Sequence, residues 1–246
     1  MNLVAIDTAT EKFSVALATT LGGRWLFEAD AGTRHSELVM ECVDILARKA
    51  AISPGDLNGV LCMGGPGSFT GLRIGFSLAK GLALSLGIPF APIPTLDCLA
   101  RPLSAWPGVV VPVIDAKKRA FFCAPYRAGK RIGPDMDAPP GEIALALAGR
   151  LSPRTETGDP ERILLFGPGA EKLYRELGLL ADEDPGIAGA MAAVRHGKGV
   201  RPGNAEALLE IALETGVFAD GGSGNRDSLF AGPEYIRKSD AELNLS

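Results

Sequence analysis

Apolar residues along this chain fall into short continuous runs, divided by glycine, proline and small polar residues, that alternate with longer stretches of helical period. Leu3 to Ile6 is apolar throughout and predicts a strand covered on both faces. It ends in Asp7-Thr8-Ala9-Thr10. Phe13 to Ala18 and Trp25 to Glu28 read as a second and third strand around the turn Leu21-Gly22-Gly23, so the chain opens with an antiparallel meander. Ser36 is placed to cap the next helix, with Glu37 in its first turn and Leu38, Cys42, Ile45, Leu46 and the stem of Lys49 on its apolar side. Pro54 and Gly55 follow it.

The next strand, Val60 to Met63, breaks into Gly64-Gly65-Pro66-Gly67, and Ser68 offers an N-cap for a helix that reads on to Leu86. Two stripes run along this helix. Gly71, Gly75, Ala79 and Ala83 share one face, while Ile74, Leu78, Leu82 and Leu86 line the next. A glycine inside a helix costs roughly 1 kcal/mol relative to alanine, so the stripe predicts close approach of another backbone. A helix apolar almost all round is also more than one sheet can cover, which points to a partner chain. Ile88 to Ile93 reads as a further strand, and Thr95 starts another helix.

Beyond Pro102, Pro107 and Gly108 the beginning repeats. Val109 to Ala116 reads VVVPVIDA against LVAIDTA at Leu3 to Ala9, and a phenylalanine follows each aspartate by six residues, Asp7 to Phe13 and Asp115 to Phe121. Phe122 to Arg127 then reads as a strand, Glu142 to Leu151 and Gly169 to Leu177 as helices, Ile163 to Phe166 as a strand, and Ala205 to Glu214 as an amphipathic helix. The order implies an α/β protein with mixed sheets flanked by helices, duplicated into domains 1–103 and 104–246, the last residues being free to pack back on the first domain. DGGSGNRD, Asp220 to Asp227, reads as a loop.

Composition narrows the chemistry. With 46% hydrophobic residues in 246 the chain can bury one large core or two smaller ones, and a net charge of -4 argues against a dedicated nucleic-acid binder. Cys42, Cys62, Cys98 and Cys123 are scattered without metal spacing and read as core residues of a reducing compartment. No signal peptide and no membrane span is expected, because the first apolar run stops at Asp7 and the longest uncharged run, Gly81 to Leu96, carries three prolines. A cytoplasmic location follows as the expectation.

A duplicated mixed domain with an acid in its first turn resembles the actin-like ATPase and sugar-kinase superfamily (ASKHA, ribonuclease H-like). The segments AIDTAT at Ala5 to Thr10, RHSE at Arg34 to Glu37, GGPGSFTGLRIG at Gly64 to Gly75, KGLAL at Lys80 to Leu84, IPTLD at Ile93 to Asp97 and PEYIR at Pro233 to Arg237 are similar to the bacterial TsaB (YeaZ) family. That family usually has serine where Ala9 stands. The resemblance implies a role in making the threonylcarbamoyl modification on adenosine next to the anticodon of transfer RNAs. In that system a TsaB protein partners the related catalytic subunit TsaD, and the ATPase TsaE joins them. The catalytic relative carries two metal-ligand histidines in a segment aligned with Thr95 to Leu99, and here those positions hold Thr95 and Leu99. No imidazole pair is available, so no metal site and no catalytic residue is expected.

The expected function is therefore a noncatalytic scaffold in a heterodimer with TsaD and a ternary complex with TsaE, with a homodimer when the chain is alone. The expected interface is Leu38, Cys42, Ile45, Gly71, Leu72, Gly75, Phe76 and Ala79, with the small-residue stripe setting how closely the chains approach. Asp7, Gly65, Gly67 and Ser68 form a candidate vestigial nucleotide site, compatible with weak binding and with no other cofactor. His35 reads as a helix-entry residue. Two rival classes are a nucleotide-dependent phosphotransferase or glycoprotease-like enzyme, and a transfer-RNA-binding module built on Arg195 to Arg201. The scaffold reading makes any transfer RNA contact indirect or weak and expects neither DNA nor membrane as a partner.

Overall fold

A computed structural model describes residues 1–10, 12–30, 35–150, 162–197, 203–219 and 232–233. Arg34, Leu151, the DGGSGNRD stretch, Lys198 to Arg201 and Glu234 to Arg237 lie outside the described residues.

The first five strands and three helices are β1 (Leu3–Asp7), β2 (Phe13–Ala18), β3 (Arg24–Ala29), α1 (His35–Lys49), β4 (Gly59–Gly65), α2 (Phe69–Leu86), β5 (Phe90–Pro94) and α3 (Thr95–Ala100). The strands form a sheet in the order β3-β2-β1-β4-β5, antiparallel through the meander and parallel from β1 to β5. The alternation along each strand explains why its sequence is apolar without interruption. Val4, Ile6, Val15, Leu17, Val60, Cys62 and Phe90 face α1 and α2. Leu3, Ala5, Ala16, Ala18, Leu61, Met63 and Ile93 face the opposite way, toward a helix from the far end of the chain.

The second half contributes β6 (Val109–Asp115), β7 (Phe121–Cys123), β8 (Tyr126–Arg127), β9 (Lys130–Arg131), β10 (Met136–Ala138), α4 (Pro140–Arg150), β11 (Ile163–Phe166), α5 (Ala170–Ala181), α6 (Pro185–Met191), β12 (Val194–His196) and α7 (Ala205–Thr215). Its sheet runs β10-β7-β6-β11-β12, with β8 and β9 off β6. A meander followed by two parallel neighbours repeats the first sheet's plan, in the order the sequence repeat predicts. The structure splits what reads as one strand, Phe122 to Arg127, into β7 and β8. It also adds β9, β10, α6 and β12, which are too short for a periodic signal. The chain divides into two compact units. Met1–Cys98 and α7 belong to the first, and residues 99–200 to the second. α7 closes the first unit by setting Ala205, Leu208, Leu209 and Ala212 on the sheet face that α1 and α2 leave uncovered.

All four cysteines are free and buried. Burial pushes the thiols of Cys42, Cys62 and Cys98 above their usual value and that of Cys123 up to about 12, so all stay protonated and inert. Among the described residues no helix is long and apolar enough to cross a membrane.

The small-residue stripe of α2 has a different purpose from the one its sequence suggests. A Cβ on Gly71 would run into the carbonyl oxygen of Thr8, and a Cβ on Gly75 would lie 2.6 Å from Thr8 Oγ1. The backbone that approaches is the chain's own β1 end. The opposite is true of Gly81, where a Cβ would meet nothing within 4 Å. Gly71→Ala should therefore lower the unfolding free energy by about 1–3 kcal/mol through overpacking against a carbonyl that cannot yield. Gly81→Ala should raise it by about 0.5–1 kcal/mol by helix propensity. Urea titration of the two variants checks the pair, and equal effects would contradict the assignment of the two faces.

Candidate functional site

The end of β1 carries the acid that the sequence singles out, and the structure surrounds its side chain with hydrogen-bond donors. Asp7 is 0% exposed. Its Oδ1 accepts from the backbone amides of Ala9 at 2.9 Å and Thr10 at 3.3 Å. Its Oδ2 accepts from Thr10 Oγ1 at 2.7 Å, from Asn204 Nδ2 at 2.8 Å and from the Asn204 amide at 3.3 Å. The donors on Oδ2 include a residue 197 positions away in sequence. Hydrogen bonds to a charged acceptor are the strong class, each contributing about 1.5–3 kcal/mol, and here they offset the desolvation of the carboxylate.

The neighbouring strands hold the same segment. Glu28 Oε1 on β3 accepts from the Gly203 amide at 2.6 Å, and Ser14 Oγ on β2 accepts from the Ala205 amide at 3.0 Å. Three successive backbone amides, Gly203 to Ala205, are thus taken by side chains from three adjacent strands. Two of those side chains are carboxylates at the N-terminus of α7, where the helix dipole favours negative charge. Asn204 sits at the N-cap position yet makes no capping bond, because its amide reaches Asp7 instead. Sequence reasoning missed this clasp. The asparagine before an amphipathic helix is a visible signal, but it suggests an N-cap rather than a contact with the first strand.

The other candidate nucleotide residues lie at the start of α2. Gly65, with φ of +114°, takes a conformation that side chains rarely adopt. Gly67 lies where a Cβ would sit 2.9 Å from the carbonyl oxygen of Ala9, and the Ser68 amide donates to that same oxygen at 3.0 Å. Ser68 Oγ caps the helix by accepting from the Gly71 amide at 3.2 Å, and Thr8 Oγ1 donates to the Gly71 carbonyl at 2.7 Å. Ala9 links Asp7 to this loop: its amide donates to Asp7 Oδ1, and its carbonyl accepts from the Ser68 amide. An actin-like fold implies a magnesium-bound nucleotide at such an acid. The residues here do not fit one, since a metal at either Asp7 oxygen would have to displace Asn204, Thr10 or the Ala9 amide.

Asp115, the counterpart in the second unit, is more open. Oδ1 accepts from the Lys117 amide at 2.8 Å, and Oδ2 faces the ammonium groups of Lys172 at 3.1 Å and Lys117 at 3.5 Å. Partial burial works to raise its pKa, but the Lys117 amide and the two ammonium groups outweigh it and hold the carboxyl below its usual value.

Of the eight residues expected to meet a partner, Cys42, Gly71, Leu72, Gly75, Phe76 and Ala79 are buried within the first unit, and only Leu38 and Ile45 keep partial exposure. Phe76 packs edge-on to Phe90 with ring centroids 5.6 Å apart. Within the small-residue stripe, Gly71 and Gly75 face Thr8 of the same chain, and Ala79 and Ala83 lie in the first unit's core. Among the described side chains, the two helices leave exposed Met40, Glu41, Asp44, Arg48 and Lys49 on α1 and Phe69, Thr70, Arg73, Ser77, Gly81, Leu84 and Ser85 on α2, with the Arg73 guanidinium 3.8 Å over the Phe69 ring.

Thr95 and Leu99, at the positions of the relative's histidine pair, are buried, at 0% and 4% exposure. The Thr95 hydroxyl has no hydrogen-bond partner among the described residues. Arg195 and His196 lie on β12. The Arg195 side chain donates to the carbonyls of Ala192 and Val194, and the His196 ring stacks 4.6 Å from Tyr174. α1 begins at His35, the helix-entry position.

Comparison with known proteins fits this geometry. Residues 29–164 match the family described as "TsaD: tRNA N6-adenosine threonylcarbamoyltransferase". The "tRNA threonylcarbamoyladenosine biosynthesis protein TsaB" of Bacillus subtilis is 32% identical over 52% of this chain and 56% of its own length. The Escherichia coli protein of that name is 35% identical over 52% of this chain and 55% of its own. The chain thus spans about half the length of these curated relatives. An uncharacterised protein of Mycobacterium tuberculosis is 32% identical over 78% of this chain and 84% of its own length. In fold, the structure of YeaZ from Pseudomonas aeruginosa superposes with a TM-score of 0.66 at 22% identity, covering 96% of this chain and all of that one (100%).

Asn204→Ala should lower the unfolding free energy by about 1.5–3 kcal/mol, because Asp7 Oδ2 stays buried with fewer donors. It should also speed hydrogen exchange in α7 more than in α1. Exchange in α7 that matches the parent chain would contradict the clasp.

Proposed function

We propose, because this chain belongs to the TsaB (YeaZ) branch of the TsaD family, that it is a noncatalytic subunit for transfer RNA threonylcarbamoyladenosine synthesis. It binds and supports TsaD, with TsaE joining the pair. The reading rests on Thr95 and Leu99, both buried, which stand where the family resemblance implies a histidine pair in the catalytic relative. A hydroxyl and an alkyl chain cannot hold the metal that a TsaD-type site uses. Asp7 points the same way, since its oxygens are committed to Ala9, Thr10 and Asn204. The chain in this reading carries neither a metal nor a nucleotide.

The docking surface in this reading is the outward face of α1 and α2. It joins the partly exposed Leu38 and Ile45 to Phe69, Arg73 and Leu84. The exposed arginine stacked on a phenylalanine at the start of α2 has the composition of an interface anchor, which favours aromatic residues and arginine, and the exposed Leu84 extends the face toward the helix's other end. The same face would join two copies of the chain when TsaD is absent.

The test is a reconstitution with TsaD, TsaE and an unmodified transfer RNA, in which omitting this chain should abolish the modified adenosine. Leu84→Asp and Arg73→Glu, both on exposed positions, should each weaken TsaD binding at least tenfold by calorimetry, about 1.4 kcal/mol, with an unchanged melting curve. Undiminished affinity in both would overturn the docking face. Full modification without this chain would overturn the subunit role itself.

A further inference from the structure

Among the described residues the sheet edges differ in how open they are to another strand. β5, at one edge of the first sheet, carries Pro92 and Pro94, residues that blunt an edge because they have no N–H to offer. In the second sheet β10 and β12 are three residues long and β9 two, too short to seat another chain. β3, at the other edge of the first sheet, has neither protection. It runs six residues without proline and pairs with β2 in unbroken register. No described strand pairs with its outer side.

The hairpin decides which groups β3 turns outward. The Thr19 amide donates to the Gly23 carbonyl at 2.9 Å, so the residue pair next to Ala18 and Arg24 is a hydrogen-bonded one. Bonded and non-bonded pairs alternate along an antiparallel ladder. Trp25, Phe27 and Ala29 therefore direct their N–H and C=O groups at β2, and Arg24, Leu26 and Glu28 direct theirs away from it. The side chains of those three stand on the face that carries α7, where Arg24 Nη1 lies 3.7 Å from Glu210 and Glu28 Oε1 accepts from the Gly203 amide. All three are exposed, Leu26 at 44%. A guanidinium has five donors and a carboxylate about four acceptor sites, so neither contact exhausts its group.

We propose that the outer edge of β3 pairs antiparallel with the same strand of a second copy of this chain, about a two-fold axis at Leu26. In that register Arg24 opposes the partner's Glu28, Leu26 opposes the partner's Leu26, and Glu28 opposes the partner's Arg24. Each of these pairs exchanges two backbone hydrogen bonds through the groups that β3 turns outward. On the α1 face, Trp25 comes opposite the partner's Phe27, an aromatic cross-strand pair. Moving the axis to Trp25 or Phe27 keeps the ladder but sets Leu26 against a charged residue. A one-residue slip faces outward groups against inward ones and forms no ladder. A strand of cation, leucine and anion at every second position is thus its own complement in one register, which is what a two-fold contact requires. The edge uses no residue of the α1–α2 docking face, and the inference does not rest on the subunit role.

The experiment combines cross-linking and sedimentation velocity on the full chain carrying Leu84→Asp, so that the α1–α2 face does not contribute. Directly opposed residues of a bonded antiparallel pair have Cα atoms about 5.5 Å apart, within disulfide reach. Leu26→Cys should therefore form a covalent dimer under mild oxidation, the four native cysteines being buried. A mixture of Arg24→Cys and Glu28→Cys chains should cross-link as well. Arg24→Cys alone should not, since its counterpart lies about 14 Å along the strand. In sedimentation, Leu26→Pro should raise the dimer Kd at least about tenfold, because it removes an outward N–H and no bond to β2. Arg24→Glu, on an exposed side chain that keeps the test intact should the proline variant unfold, should do the same by opposing two carboxylates. Mixing Arg24→Glu with Glu28→Arg chains should restore the dimer, as both ends then carry opposite charges. A chain that stays monomeric overturns the proposal, as does cross-linking of Leu26→Cys no faster than that of Arg24→Cys. Association undiminished by Leu26→Pro and Arg24→Glu places the contact on another surface and overturns it equally.

Discussion

The buried carboxylate of Asp7 is the constraint on which the first unit is built. A charge at 0% exposure is stable only if its oxygens are filled, and the donors come from its own turn and from Asn204 near the other end of the described chain. That requirement brings Gly203 to Ala205 across β1, β2 and β3 and sets α7 on the second face of the sheet. Without α7, Leu3, Ala5, Ala16 and Leu61 would face solvent on a sheet whose strands are apolar on both sides. One electrostatic demand thus determines where a large share of the hydrophobic burial goes.

A second constraint, distance, follows from the first. Thr8 and Ala9, held by the Asp7 turn, lie against the first turns of α2, and only glycine at positions 71 and 75 lets the helix come so near. Ser68 and Gly67 close onto Ala9 from the same side. The acid is committed to Ala9, Thr10 and Asn204, and the Ser68 amide to the Ala9 carbonyl. The duplicated turn of the second unit diverged in the opposite direction, with Asp115 ringed by cations rather than neutral donors.

Much of this was legible before any coordinates. The uninterrupted runs at Leu3 and Val60 announced strands covered on both sides, Ser68 announced a helix start, and the paired Asp7 and Asp115 turns announced a duplicated domain. The sequence signal failed where the cause lies in distant contacts. A glycine stripe shows that something approaches, but not whether it belongs to the same chain, and the group facing Gly75 is Thr8 of its own chain. The helical period of α7 shows an apolar face, but nothing local shows which sheet it covers. Short strands such as β10 and β12 owe their form to the neighbours they pair with and carry no pattern of their own.

The account stands on Asp7 acting as a clasp within the fold rather than as a ligand for metal-bound phosphate. A double-mutant cycle of Asp7→Ala and Asn204→Ala, followed by urea denaturation with and without magnesium and ATP, tests that claim most directly. The account predicts a coupling energy of about 1.5–3 kcal/mol between the two positions and no stabilisation by the nucleotide. Additive losses, together with a stabilisation by magnesium and ATP that disappears in Asp7→Ala, would contradict it.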